Sequence, residues 1–239
     1  MQSMTLATVN PIPLGKGWGR SAYSKTWRWI ELLGHAEPDE EHMDADARLL
    51  EAVEHGAAPA TIRVYDWRSA AVTIGRLQRA EAVRAEFGDL PLYARPTGGR
   101  AVRHGGDLTL SIAASYADLN DRLTRKSVVD AYELLLAPIR AALAQCGLAT
   151  SYGNETAPAA GTITSEDCFA SAARCDVVDA KYGIKRLGSA MRRAHDALLL
   201  QVSLRPVDEF DIFSRAFLDT LRGAYERELN IGRWDITTR

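Results

Sequence analysis

One segment restricts the fold more than any other stretch of this chain. Ala94 to Asp107, Ala-Arg-Pro-Thr-Gly-Gly-Arg-Ala-Val-Arg-His-Gly-Gly-Asp, reads as a strand that breaks at Gly98-Gly99 and returns to strand. Glycines at such a break let the backbone approach a ligand, and Arg95, Arg100 and Arg103 supply fixed positive charge for a phosphate or carboxylate. The plainer alternative is a hairpin turn with solvated arginines. It is not a Walker loop, because no Gly-Lys-Ser/Thr follows, nor a dinucleotide fingerprint, because no helix opens after the glycines.

Around this break, strand and helix patterns mix. Trp27 to Leu33, Thr61 to Trp67, Ala70 to Ile74, Leu90 to Ala94 and Leu108 to Ala114 have strand character. Later, Cys175 to Asp179, Ile184 to Arg192 and Ala197 to Leu204 follow one another as three more strands. Glu40 to His55 carries Met43, Ala47, Leu50 and Val53 at helical spacing and stops at Gly56. Arg79 to Phe87 stops at Gly88, Ser127 to Cys146 stops at Gly147, and Val207 to Asn230 predicts a closing helix. Residues 149–166 are small and polar, which predicts a long loop directly before Cys168. Residues 1–26 read as an N-terminal arm and 27–239 as a single domain of mixed α/β character.

The composition excludes several classes. At 239 residues, 46% hydrophobic and 25% charged, the chain is long enough for a substantial core. A formal net charge of −2 offers no bulk cationic field for nucleic acid or anionic lipid. No apolar run approaches the roughly 18 residues that cross a bilayer, and residues 1–25 lack the apolar centre of a signal peptide, so a cytoplasmic location is expected. Three cysteines with no Cys-x-x-Cys suggest neither a disulfide framework nor a zinc site.

Cys168 and Lys185 form the second notable feature. If their segments pair antiparallel, thiol and ammonium come close, and a nearby cation favours the thiolate nucleophile. The alternative is that Cys168 is a small buried hydrophobe, as Cys146 and Cys175 are expected to be. His104 is a candidate for orienting substrate or moving a proton. His35, His42, His55 and His195 lack metal-ligand spacing and read as solvated, whereas Trp27, Trp29 and Trp67 read as core.

These pieces fall in a familiar order. Trp27-Arg-Trp-Ile is followed by His42-Met-Asp-Ala-Asp-Ala-Arg-Leu-Leu, then Ile62-Arg-Val-Tyr-Asp-Trp67 and Ala71-Val-Thr-Ile-Gly-Arg-Leu-Gln78. Next come Arg95-Pro-Thr-Gly-Gly-Arg-Ala-Val-Arg-His104, Cys168-Phe169 and Lys185-Arg-Leu-Gly-Ser-Ala-Met-Arg-Arg193. Over residues 27 to 204 the chain resembles the lipoate-protein ligase A/B family, and the Cys-Phe pair is similar to that of its cysteine-bearing lipoyl octanoyltransferases. The resemblance implies the biotin/lipoate ligase fold, an α/β (α+β) domain whose mixed, largely antiparallel β-sheet is flanked by helices.

The resemblance further implies a two-step acyl transfer in lipoate biosynthesis. The Cys168 thiolate takes octanoate from octanoyl acyl carrier protein, and a lysine of a lipoyl domain or of glycine-cleavage H protein then receives it. Lys185 orients the thioester carbonyl, while Arg95, Thr97, Gly98, Gly99, Arg100, His104, Gly188, Ser189 and Ala190 shape the substrate site. No metal or cofactor is implied, since a thioester already carries the driving force for an amide. An ATP-dependent lipoate ligase forming a lipoyl adenylate, which would need ATP and Mg, is the alternative. An amidotransferase with a protein-domain donor and a non-catalytic lipoyl-domain-binding protein are further ones. The absence of a further domain after residue 230 points toward the transferase. Two departures from the family pattern stand out: Leu200-Gln-Val-Ser203 replaces Gln-His-Gly-Ser, and two glycines separate His104 from Asp107.

Overall fold

The computed structural model describes residues 26–34, 37–119, 123, 127–153 and 165–238. Apart from Thr26, the expected arm lies outside these residues, as does the body of the expected 149–166 loop.

An eight-stranded sheet in the order β11-β1-β2-β6-β10-β9-β8-β7 forms the frame. Its strands are β1 (Thr26–Leu32), β2 (Thr61–Tyr65), β6 (Leu108–Ser115), β7 (Thr150–Tyr152), β8 (Val177–Asp179), β9 (Lys185–Arg193), β10 (Ala197–Leu204) and β11 (Arg233–Thr238). β1 runs parallel to both its neighbours, β2 and β11, and every other pairing in this sheet is antiparallel. A second, three-stranded sheet in the order β4-β3-β5 consists of β3 (Ala71–Ile74), β4 (Leu92–Ala94) and β5 (Val102–His104). The expected mixed, largely antiparallel sheet is therefore present, split into a large and a small part.

Alternation on the central strands gives the large sheet two unlike faces. Ile62 and Val64, Leu108, Leu110 and Ile112, and Leu198, Leu200 and Val202 join one apolar cluster with helices α3 (Val128–Gln145) and α4 (Arg215–Leu229). Each such fully buried aliphatic side chain contributes about 1.5–3 kcal/mol of transfer free energy, so this face anchors the domain. Ser127 caps α3 by accepting from the Asp130 N–H, and Ser214 caps α4 by accepting from the Phe217 N–H. On the opposite face Ala113, Ala197 and Leu199 meet Leu49, Leu50 and Val53 of α1 (Glu41–Glu54) at one end, and Leu32 and Tyr65 meet Met43 of the same helix elsewhere. Further along, the same face presents Arg63, Tyr65, Thr109, Ser111, Gln201 and Ser203, all buried. The small sheet, backed by Val83 of α2 (Ala80–Phe87), joins this polar part of the face.

Four expectations need correction. The closing helix begins at Arg215 and not at Val207, because Ser214 supplies its cap. Residues 150–152 form β7, held against β8, where a loop was expected. Cys175 lies in the turn before β8 rather than within a strand. His42 is fully buried, stacked 4.2 Å from the Tyr65 ring, while His55 and His195 are exposed as expected and His35 lies outside the described residues. Trp27, Trp29 and Trp67 are core residues.

Candidate active site

Cys168 opens a single 3-10 turn, Cys168–Ala170, capped by Asp167, whose carboxylate accepts the Phe169 N–H at 2.8 Å. Two backbone bonds fasten this turn to the end of the glycine segment: Ala101 N–H to Glu166 O at 2.8 Å and Cys168 N–H to Ala101 O at 2.7 Å. Cys168 is thus not paired with the lysine strand, as the sequence suggested. Lys185 reaches it from the start of β9 by the length of its side chain. Its Nζ donates to Cys168 Sγ at 3.3 Å, to Cys168 O at 2.6 Å and to Ser171 O at 3.2 Å. Asp176 Oδ2 sits 2.6 Å from the same ammonium, and both side chains are buried. The carboxylate also accepts the Ala173 N–H at 2.6 Å, which fixes its position.

The glycine segment is shaped from inside by Arg95. All five of its N–H donors go to Gly98 O, Thr73 O, Thr73 Oγ1 and Arg100 O, at 2.6 to 3.2 Å. Burial pulls this guanidinium down to about 10, so it stays charged at neutral pH. Gly99 holds φ +87°, a left-handed conformation that a side chain would strain. A Cβ at Gly75 would lie 1.9 Å from Gly99 O, so the turn packs directly on a second glycine. At Gly188 a Cβ would meet the Phe169 ring at 3.2 Å and Cys168 Sγ at 3.3 Å, so the thiol rests on bare backbone.

Two buried polar networks support these parts. In the first, Asp46 accepts from Arg63, from Tyr65 OH at 2.9 Å, from Ser111 Oγ at 2.6 Å and from Gln201 Nε2 at 2.7 Å. Gln201 Oε1 then accepts from Thr97 Oγ1 at 2.6 Å, which carries the network into the glycine segment. In the second, His104 Nδ1 lies 2.8 Å from Asp107 Oδ2, and His104 Nε2 lies 2.9 Å from the Thr73 hydroxyl. Gly105 and Gly106, both at positive φ, loop out so that the separated histidine and aspartate still meet. Burial pushes the Asp107 carboxyl up, but the charge and hydrogen bond of His104 and the Ser203 hydroxyl outweigh it and hold it at about 2.

Between the two sheets, a cleft is lined by Arg95, Gly99, His104, Cys168, Gly188, Ser189 and Ala190 together with Met43, Val102 and Gln201. Lys185 stands behind the thiol, Thr97 is buried under the turn, and Gly98 and Arg100 flank it. Arg100 binds Ser171 Oγ at 2.7 Å and so braces the turn after Cys168. Because Thr73 and His104 bond each other while Tyr65, Gln201 and Ser203 spend their polar atoms on Asp46, Thr97 and Asp107, the cleft offers mostly carbon to an occupant.

Sequence reasoning missed Asp46, Asp176 and Gln201. Asp46 left a readable signal, since an acid at a stripe position between Met43 and Leu50 belongs to the buried face of α1. Asp176, next to Cys175, left none.

A chain with this two-sheet fold, a thiol and an ammonium in contact, and a carbon-lined cleft is a member of an acyl-handling class. The chain belongs to the lipoyl protein ligase A/B catalytic domain family, whose model matches residues 38–219. Among the curated proteins it is similar to are octanoyltransferases named LipM. That of Exiguobacterium sp. is 29% identical over 199 residues, covering 78% of this chain and 70% of the relative. That of Lysinibacillus sphaericus is 36% identical over 118 residues, covering 46% of this chain and 40% of the relative. Among solved structures, the fold matches the bipartite lipoate protein ligase of Thermoplasma acidophilum at a TM-score of 0.62 and 18% identity, over 90% of this chain and 87% of the other. A lipoate-protein ligase A bound with ATP matches at 0.63 and 19%, over 90% and 89%.

Proposed function

We propose that the protein is an octanoyltransferase of lipoate biosynthesis that uses Cys168 as its nucleophile. The observation that carries this reading is the 3.3 Å contact between Lys185 Nζ and Cys168 Sγ, with the thiol at the wall of a mostly carbon-lined cleft. The relatives named octanoyltransferase support the same chemistry.

In the first step the Cys168 sulfur, as thiolate, adds to the carbonyl carbon of octanoyl acyl carrier protein. The carrier's carbon–sulfur bond breaks, the carrier leaves as its thiol after gaining a proton, and an octanoyl thioester remains on Cys168. In the second step the ε-amine of a lysine on a lipoyl domain or glycine-cleavage H protein adds to that thioester. The Cys168–carbon bond breaks, the amine loses a proton, and an amide forms. Lys185 holds the backbone that carries the sulfur and supplies positive charge beside it, with Asp176 fixing where that charge sits. In this reading the glycine turn, which reaches the cleft wall at Gly99, receives the carbonyl oxygen on its backbone amides. Thioester-to-amide exchange is downhill and needs neither ATP nor a metal.

Intact mass after mixing with octanoyl acyl carrier protein, without ATP, tests the reading. An octanoyl adduct that maps to Cys168 and vanishes when an unmodified lipoyl domain is added is the expected result. No adduct, with acceptor modification only when ATP and free lipoate or octanoate are supplied, would replace it with a ligase.

A further inference from the structure

Next to the thiol, the sheet carries a charge arrangement that the acyl-transfer steps leave unused. In the β9/β10 ladder, Gly188 lies opposite Ser203 and Leu187 opposite Leu204. The ladder continues one pair further, with Arg205 N–H donating to Arg186 O at 2.8 Å. Strand alternation therefore puts Arg186 and Arg205 directly across from each other, on the face where Gly188 supports Cys168. Like charges directly opposite in a ladder repel and cost stability.

The two guanidiniums are unequally compensated. Arg186 is 3.5 Å from Asp179 and donates to Pro206 O at 3.4 Å, but its buried Nε has no partner. The Arg205 guanidinium lies flat against Phe169, 4.1 Å from the ring centre, and among the described residues it forms no ion pair or hydrogen bond of its own. Phe169 follows Cys168 directly and packs on Gly188. A half-buried arginine is thus stacked on the residue beside the nucleophile, with its donor edge uncommitted and a second positive charge alongside. The Arg205 charge helps to hold the buried Asp107 carboxyl low, but through space, so its donor edge is left for an anion at the surface.

We infer that Arg186 and Arg205 form a subsite for the phosphate ester on the pantetheine arm of the thioester donor. This rests on the transferase reading above. Such an arm is built of amides, a hydroxyl and a thioester, so its phosphate is the single charged group. With the thioester at Cys168, that phosphate must lie outward from the cleft. The arginine pair lies two residues along β9 from the glycine under the thiol, about 7 Å at strand spacing, so the longer, flexible arm must curve over Phe169 to bring its phosphate there. Paired guanidiniums match phosphate oxygens with several charge-assisted donors at once.

The test compares two small donors, octanoyl-pantetheine and octanoyl-4′-phosphopantetheine, by the kcat/KM for acylating Cys168. The wild-type protein is expected to favour the phosphorylated donor by about tenfold or more, the worth of charge-assisted hydrogen bonds. In Arg205→Gln and in Arg186→Gln that preference is expected to fall toward one. Arg205, rather than Arg186, stacks on Phe169, so Arg186→Gln reads the charge with less disturbance of the Cys168 turn. A wild-type ratio near one, or a ratio that survives both substitutions, overturns the subsite. So does a phosphate-independent preference for the whole carrier protein, which would assign the arginines to an acidic protein surface. If neither donor acylates Cys168, the transferase reading itself fails. Calorimetric titration of wild type and Arg205→Gln with 4′-phosphopantetheine then decides the subsite separately: binding lost in the variant supports it, and no wild-type binding refutes it.

Discussion

Thr97 Oγ1 donates to Gln201 Oε1 at 2.6 Å, joining the glycine segment to a central strand 104 residues away in the chain. Gln201 passes the contact on to Asp46, which three other side chains also hold. The position of the turn beside Cys168 is therefore set by a buried polar chain that begins on α1. Such a chain is stabilising only while every member is satisfied, because a buried donor or acceptor left alone costs more than a typical bond contributes.

Gln201→Leu removes the link and strands both Thr97 and one Asp46 acceptor position. Urea denaturation is expected to show a loss of about 2 kcal/mol. Cys168 acylation should slow as well, because the turn is no longer fixed over the cleft. Unchanged stability together with unchanged acylation would show that the link has no mechanical role.

Cys168→Ser is expected to abolish the acyl-enzyme adduct, whereas Asp176→Asn should only weaken it. The asparagine keeps the shape but not the charge that fixes Lys185, 2.6 Å away in the native site. A fall of about tenfold in acylation rate, equivalent to about 1.4 kcal/mol, is expected with the circular dichroism spectrum preserved. Equal rates for Asp176→Asn and wild type would remove Asp176 from the account.

Two glycine substitutions should separate stability from activity. Gly75→Ala places a Cβ 1.9 Å from the Gly99 carbonyl oxygen, a clash with backbone that cannot be relieved by a rotamer change. It is expected to lower the melting temperature clearly. Gly188→Ala meets Phe169 and the thiol at 3.2 to 3.3 Å, so the 3-10 turn can yield at little cost to folding. Displacing the nucleophile by a fraction of an ångström should still slow acylation by about tenfold or more. The reverse ranking in thermal melts would contradict this assignment of contacts.

Asp107 makes stability depend on acid. Its carboxyl is held at about 2 in the folded protein, against an ordinary 3.8. A folded value below the unfolded one contributes stability that is present above about pH 4 and lost as pH falls toward 2, here about 2 kcal/mol. Denaturation at a series of pH values should show this slope in the wild type and a shallower one in Asp107→Asn. Identical slopes would mean that the His104 and Ser203 contacts do not stabilise the charge.

The local patterns were legible where one segment carries its own signal. α1, α2 and α3 end at the glycines that mark them, and β2, β3, β6 and β10 follow their β-branched or alternating runs. The double-glycine segment and the Cys168 and Lys185 pair stood out from the residues themselves, each beside a plainer alternative, and motif order carried the family. Other features depend on residues that the sequence does not bring together. β11 is an edge strand of exposed and half-buried residues, and it becomes a strand by lying parallel to β1, more than two hundred residues earlier. The stripe position of Asp46 turns it inward, but its partners become legible only when strands from three parts of the chain surround it with donors. The Cys168–Lys185 contact was foreseen, but by strand pairing. The structure achieves it with a turn tied to Ala101 and a lysine side chain spanning the gap. Periodicity and turn chemistry are local energies and can be read from neighbours. Partnering of buried charge is a tertiary energy, and it is decided only when the two sheets close on each other.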